Sequence, residues 1–347
     1  MLPIPLLEWY RENARALPWR PRPGSRELGD PYRVWVSEIM LQQTRVAAVL
    51  DYYARFMEAL PTVADLARAE EDRLMKLWQG LGYYSRARNL QKAARVVADE
   101  LSGAFPGSYQ GLLALPGIGE YTAGAIASIA FGLPEPAVDG NVLRVTARLT
   151  GDEGDILRPD TRRRMRAALS RVIPRLDPGD FNQALMDLGA LVCLPNGAPL
   201  CEKCPARRFC RAHREGRTEA LPVRPPKRAR RVEERVVFLF FYQGKVALRR
   251  RPSKGLLAGL WEYPNALAPG EATLESWNLS PLSMEDGGAG KHVFTHIEWH
   301  MTCRLGELPS PALPEGWVWA GREELRRDYA VPSAFQAFAG TVEARIL

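Results

Sequence analysis

The chain of 347 residues contains no run of ~18 consecutive apolar residues, the length a helix needs to cross a hydrocarbon core, which excludes a membrane-spanning helix. Its first fifteen residues hold only a short apolar stretch, broken by Glu8 and lacking a basic leader, so a secretory signal is not expected there. Cysteine is scarce. There are five, four of them crowded between 193 and 210 and one alone at 303, a poor basis for a disulfide framework. That distribution points to a reducing compartment and a local metal centre. Internal repeats are also missing. Negative charge is in deficit: 47 Lys+Arg against 40 Asp+Glu leave a net charge of +7 and a pI near 9.3, which suits a polyanionic partner without demanding one. The 46% hydrophobic and 25% charged content is that of a soluble globular protein, long enough for more than one core.

Helical periodicity dominates the first two thirds. Residues 4–16 read as an amphipathic helix and residues 21–30, with two prolines and two glycines, as a loop. A buried helix follows, built on Val34, Trp35, Val36, Ile39, Met40 and Leu41 and carrying Glu38. Helical pattern continues to about 133, interrupted at Pro61-Thr62, where Thr62 is a plausible cap, and at Pro106-Gly107-Ser108. It resumes at 141–149, 160–173 and 180–192. Residues 217–232 are Pro-rich and basic and read as a linker. Beyond it, short β-rich runs at 236–242, 245–249, 261–263, 292–305 and 316–320 and a helix near 333–344 predict an α+β domain.

Four features carry chemistry. In Leu115-Pro116-Gly117-Ile118-Gly119-Glu120-Tyr121, two glycines able to take positive φ open a small-residue helix, whose free N–H groups suit a phosphate. Asp139 follows between Val138 and Gly140, either as a catalytic carboxylate or as the cap of the next helix. Glu38, among apolar neighbours, is either a desolvated acid with a raised pKa or an exposed helix carboxylate. The cysteines 193, 201, 204 and 210 have the spacing C-x7-C-x2-C-x5-C. With one C-x2-C pair rather than two, this favours an iron–sulfur cluster over zinc, and both over four unrelated thiols. Cys303 reads as a core residue.

Residues 115–126, Asp139 and the cysteine cluster together resemble the helix-hairpin-helix endonuclease III superfamily of DNA glycosylases. More narrowly, Leu17-Pro18-Trp19-Arg20, residues 35–44, residues 80–90, Val138-Asp139-Gly140-Asn141-Val142 and Phe181-Asn182-Gln183-Ala184 are similar to the MutY-type adenine DNA glycosylases. The resemblance covers nearly the whole chain. It implies a multi-domain protein: an all-α helix-hairpin-helix glycosylase core with a [4Fe-4S] subdomain and an α+β Nudix-like C-terminal domain. On this reading 1–30 and 134–216 form the cluster domain, 31–133 the helical barrel domain, 217–232 the linker and 233–347 the Nudix-like domain.

The implied reaction is base excision of adenine opposite 8-oxoguanine or guanine in double-stranded DNA, by a monomer in the bacterial cytoplasm, associated with the nucleoid through DNA. Glu38 would protonate the base, Asp139 would stabilise the sugar cation and Asn141 would orient Asp139. Tyr121 stands where bifunctional relatives carry a Schiff-base lysine, so base removal without strand cleavage is expected. Trp19, Arg20 and Gln183 would line the adenine pocket, Gln43 and Tyr83 would act as wedges, and Thr44 and Leu81 would touch the opposing base. Gly117 and Gly119 would hold the DNA backbone. Some basic residues at 158–175 and 203–231 would contact phosphate. Phe294, Thr295 and His296 match a Phe-Ser-His loop that reads 8-oxoguanine, while the R-E-x-x-E-E helix of a Nudix pyrophosphohydrolase is missing. Three departures stand out: seven residues rather than six between Cys193 and Cys201, a longer loop at 21–30, and Leu143 where a lysine is common.

Overall fold

The computed structural model describes residues 2–226, 229–270 and 272–347. Lys227 and Arg228, within the linker expected at 217–232, lie outside the described residues. The chain forms two compact units. One comprises Met1–Arg68 with Asn89–Pro226, the other Ala69–Arg88 with Lys227–Leu347. Among the described residues no helix is long and apolar enough to cross a membrane.

The first unit is helical. Its helices include Pro3–Asn13, Pro31–Leu41, Val46–Ala59, Val63–Arg68, Tyr109–Leu113, Glu120–Ile129, Gly140–Thr150, Pro159–Ser170 and Pro178–Leu191. The starts are set by local chemistry. Thr62 and Asp65 cap each other reciprocally, through Asp65 N to Thr62 Oγ1 at 3.2 Å and Thr62 N to Asp65 Oδ2 at 3.1 Å. Ser108 accepts from Gly111 N at 3.1 Å and opens the helix Tyr109–Leu113. Tyr10, Trp35, Phe56, Ile126 and Phe181 are buried in the core, and such side chains contribute about 2–3 kcal/mol each. Trp35 also meets Phe105 edge-on at 5.3 Å.

Three glycines bear on this unit's geometry. Gly117 adopts φ 75°, and a Cβ there would fall 2.6 Å from Asn89 Cβ. Gly119 departs from the sequence expectation. Its φ is −93°, so extended backbone rather than positive φ caps the helix Glu120–Ile129, and space beside it is open. At Gly124 a Cβ would lie 2.3 Å from the carbonyl oxygen of Pro136. Glycine is required there for the segment that leads to Asp139 to lie against the helix.

The second unit holds a mixed sheet of β1 (Arg231–Tyr242), β2 (Lys245–Arg250), β3 (Trp261–Glu262), β4 (Asn265–Leu267), β5 (Ser283–Val293), β6 (Ile297–Glu307) and β7 (Trp317–Ala320). The order is β3-β2-β1-β6-β5, with β4 on β1 and β7 on β2. β1 and β6 run parallel, from Arg231 opposite Ile297 to Phe241 opposite Glu307. One strand was expected over 292–305; two are found. The chain turns at Phe294-Thr295-His296, closed by Phe294 N to Ile297 O at 2.8 Å, and β5 extends back to Ser283. Glycines and acids in β5 hide its strand character, since most of its residues face solvent. Short helices at Ala272–Ser276 and Arg322–Arg327 also carry no clear periodic signal. The terminal helix is a 3-10 turn, Ser333–Phe338, followed by Ala339–Glu343. Cys303 is buried in the core of this unit, as its strand-like context suggested.

Candidate active site

Glu38 lies near the end of the helix Pro31–Leu41. Asp30 begins that helix by accepting from Arg33 N at 2.8 Å, and Pro31 presets its first turn. From Val34 to Met40 every residue is buried, so the helix has no solvent face where Glu38 stands. The side chain is therefore a desolvated carboxyl rather than an exposed one, with 4% of the residue accessible. Burial raises its pKa from 4.5 to about 7; the Tyr121 hydroxyl and the charge of Arg20 work against that rise, and Asp139 adds to it.

Tyr121, in the first turn of the helix Glu120–Ile129, donates its O–H to Glu38 Oε2. Burial and the two carboxylates, Glu38 and Asp139, push the phenol well above its ordinary value. Tyr121 thus stays protonated and acts as a donor.

Asp139 takes the helix-cap role that its sequence position left open, and it also stands near the other two groups. It caps the helix Gly140–Thr150, with Oδ1 accepting from Val142 N at 2.7 Å, and it faces Tyr121 and Glu38 electrostatically. Asn141 Nδ2 donates to Oδ2 at 3.1 Å. Burial raises the Asp139 pKa, while the Val142 N–H, Asn141 and Arg144 favour the anion. Arg144 then extends the network, donating to Asn141 Oδ1 at 2.9 Å, Gly189 O at 2.7 Å and Cys193 O at 2.8 Å. Glu38, Tyr121, Asp139 and Asn141 are brought to one place from helices far apart in sequence.

Trp19 is buried, edge-on to Tyr53 at 5.0 Å. Arg20 makes a two-pronged bond to Asp187, at 2.8 and 3.0 Å, and Arg15 Nε reaches the same carboxylate at 2.9 Å. Burial alone would raise the Asp187 pKa, but the two arginines hold it below the usual carboxylate value. Asp187 and Arg15 escaped the sequence reading because nothing in spacing links residues 172 positions apart. Gln183 is buried with Oε1 unpartnered among the described residues, a free acceptor. Its neighbour Asn182 is consumed by structure, bonding Ser128 Oγ, Glu135 O and Ala137 N.

Gln43 and Tyr83 both sit in the left-handed region, at φ 60° and 45°, and both side chains are exposed. Non-glycine residues rarely adopt that conformation without a surrounding reason. Thr44 is half-buried beside Gln43, whereas Leu81 is buried within the second unit. There the Tyr83 hydroxyl is hydrogen-bonded to Thr295 Oγ1. The turn that carries Thr295 is fixed through its backbone, by Arg230 Nε to Phe294 O and Arg231 N to His296 O, both at 3.1 Å. The Phe294 ring lies between His292 at 4.5 Å and Trp299 at 4.9 Å, leaving Thr295 and His296 exposed.

All four clustered cysteines line one cavity in the first unit, together with Arg148, Arg207 and His213. Arg148 donates to Cys193 Sγ at 3.2 Å and to Leu194 O and Leu221 O, both at 2.9 Å. Burial pushes the Cys204 thiol up to about 11, and the other three cysteines press the same way. A cationic centre reverses that preference and draws thiolates. Of the basic run, Arg163, Arg164 and Arg166 are already paired with Asp160, Asp152 and Glu135.

Residues 36–175 match the HhH-GPD superfamily of base excision DNA repair proteins, and residues 236–340 match the NUDIX domain family. The chain is 38% identical to the adenine DNA glycosylase of Rattus norvegicus, with 92% of this chain and 74% of that protein covered. It is 36% identical to the Homo sapiens adenine DNA glycosylase over 96% of this chain and 73% of that one. For the enzyme of Buchnera aphidicola subsp. Baizongia pistaciae the identity is 34%, covering 84% and 82%. A thermostable thymine-DNA glycosylase structure superposes with a TM-score of 0.54 at 29% identity, over 61% of this chain and 95% of its own. An endonuclease III–DNA covalent intermediate superposes with a TM-score of 0.51 and shares the fold. Fold and sequence define a base excision DNA repair glycosylase of the helix-hairpin-helix superfamily. Within that superfamily, the chain belongs to the MutY-type adenine DNA glycosylases.

Proposed function

We propose that this glycosylase hydrolyses the N-glycosidic bond of adenine flipped out of duplex DNA, where the opposing base is 8-oxoguanine or guanine. The observation that carries the reading is two buried carboxyls in unlike surroundings: Glu38, bonded by Tyr121 with its pKa raised to about 7, and Asp139, held by two N–H donors. Two carboxyls in unlike surroundings divide acid and anion roles between them. The Glu38 proton passes to the adenine ring. The C1′–N9 bond breaks with its electron pair leaving on the base. The Asp139 carboxylate stabilises the cationic sugar, and Asn141 keeps its second oxygen oriented. Water then adds at C1′ and gives its proton to the Glu38 carboxylate. With Tyr121 in place of a lysine, no imine forms and the strand is left uncut.

Adenine is selected in a pocket of Trp19, Arg20 and the free Oε1 of Gln183. Gln43, Thr44, Leu81 and Tyr83 address the gap and the opposing base, Gly117 and Gly119 the DNA backbone, and Phe294, Thr295 and His296 the oxidised guanine. The protein acts as a monomer in the cytoplasm.

Cys193, Cys201, Cys204 and Cys210 hold a [4Fe-4S] cluster. All four thiols line one cavity, which suits a cluster that takes one thiolate from each, and the single C-x2-C pair favours that over zinc. When bound, the cluster supplies a covalent tie across the loop; Arg148 and Arg144 anchor its first cysteine on the protein side.

Duplexes with A:8-oxoguanine, A:G and A:T pairs test the reading directly. Free adenine is expected from the first two, with strand breaks only after alkali. No adenine release, or breaks trapped by borohydride without alkali, would overturn it.

A further inference from the structure

Residues 69–88 precede and carry Tyr83, yet they belong to the unit that holds the Phe294-Thr295-His296 turn. The bonds that place them there are specific. Lys76 Nζ, on the helix Glu71–Trp78, donates to Leu325 O at 2.7 Å and Tyr329 O at 3.3 Å, and to Gln79 Oε1 at 2.6 Å. Gln79 Nε2 donates onward to Val331 O at 2.6 Å. Arg88 donates to Ala258 O at 2.6 Å, and Arg250 pairs with Asp72 at 2.9 Å. Lys76 is half-buried, and its contacts are carbonyls rather than a carboxylate. It is a cation spent on fixing backbone, and it is placed just before the loop 79–83.

That loop is itself stiffened. Trp78 Nε1 donates to Gly82 O at 3.1 Å, Arg86 donates to Leu81 O at 2.9 Å, and the Arg86 guanidinium lies over the rings of Trp78 and Tyr83. Motion of the mount therefore reaches Tyr83 with little loss.

We propose that residues 69–88 are a mount through which the C-terminal unit positions Tyr83, with Lys76 as its positioning residue. Tyr83 and Thr295, joined by their hydroxyls, then form one rigid reader rather than two independent contacts. The Lys76 and Gln79 bonds set how the Tyr83 ring is presented when the opposing base is 8-oxoguanine. This rests on the adenine glycosylase reading above. It adds that discrimination between opposing bases depends on residues that touch no DNA.

The test is a double-substitution cycle on the full-length holoenzyme. Single-turnover adenine release from A:8-oxoguanine and A:G duplexes is measured for wild type, Lys76→Met, Tyr83→Ala and the double variant. Lys76→Met should lower the A:8-oxoguanine over A:G rate ratio by about tenfold, within the range of coupled neighbouring residues. In the Tyr83→Ala background the same change should have no further effect. Additive losses in the cycle would overturn the proposal. Gln79→Leu, which removes the Val331 bond and the Lys76–Gln79 bond but leaves Lys76 on Leu325 O and Tyr329 O, should show the same dependence on Tyr83 if Lys76→Met folds poorly. An activity-independent arm separates this inference from the underlying reading. Deuterium uptake in peptides spanning 79–84 should accelerate in Lys76→Met while the helix Gly140–Thr150 is unchanged. Accelerated uptake with no adenine release by wild type would sink the functional reading and keep the mount. Unchanged uptake with normal adenine release would sink the mount alone.

Discussion

The two carboxyls proposed to act on the base and the turn proposed to read the opposing one are built on opposite principles. Glu38 and Asp139 lie in a helical unit where burial raises their pKa values and Tyr121, Asn141 and the Val142 N–H donate to their oxygens. Thr295 and His296 lie in a sheet unit where the backbone is fixed by Arg230 and Arg231 and the side chains face solvent. Bond cleavage needs a pKa that water would not allow. Reading a base, on the proposed function, needs exposed hydroxyl and ring groups held where the base arrives, as the Tyr83–Thr295 bond holds one of them. On the proposed reading one region works by excluding solvent, while the other stays solvated until DNA arrives.

The comparison is broken most severely at the carboxyls. Glu38→Gln and Asp139→Asn should each lower single-turnover adenine release by about a thousandfold while duplex binding persists, measured by gel shift alongside base release. Rates near wild type in either variant would remove that residue from the chemistry.

A smaller effect tests the burial itself. In the unfolded chain Glu38 titrates near 4.5 and in the folded protein near 7, a raised value. Below 4.5 both states are protonated and burial of this group costs nothing extra. As pH rises through 7 the folded protein must bury an anion, and stability is lost. The difference amounts to about 3 kcal/mol. Urea titrations should therefore show Glu38→Gln gaining stability over wild type between pH 5 and pH 8, and parallel curves would contradict the burial argument.

On the reading side, Thr295→Val keeps shape and removes the hydroxyl. It should reduce the preference for A:8-oxoguanine over A:G by about fivefold, the scale of one hydrogen bond, with the A:G rate unchanged. The finest prediction sits on Tyr121. Its O–H favours the Glu38 anion, so Tyr121→Phe should raise the Glu38 pKa and move the alkaline limb of the pH–rate profile upward by about one unit.

Much of the helical unit was legible because its signals are local. Thr62, Ser108 and Asp139 announce helix starts, and the apolar run around Glu38 announces burial. Strand β5 was not legible, since its glycines and acids look like loop until β6 pairs with them. The grouping of residues 69–88 with the sheet unit depends on bonds such as Lys76 to Leu325, 249 positions apart, which no window of sequence contains. Asp187 was hidden for the same reason: its meaning comes from Arg15 and Arg20, which only folding brings to it.

The contact at Gly124 turns one missing methyl group into a ruler. With 2.3 Å between a hypothetical Cβ and the Pro136 carbonyl, alanine there forces the backbone leading to Asp139 outward while leaving both carboxyls chemically intact. The path of the segment that carries Asp139 is thereby constrained at a residue outside the proposed site. A collection of variants screened only at the carboxyls would miss the position that holds this segment against the helix.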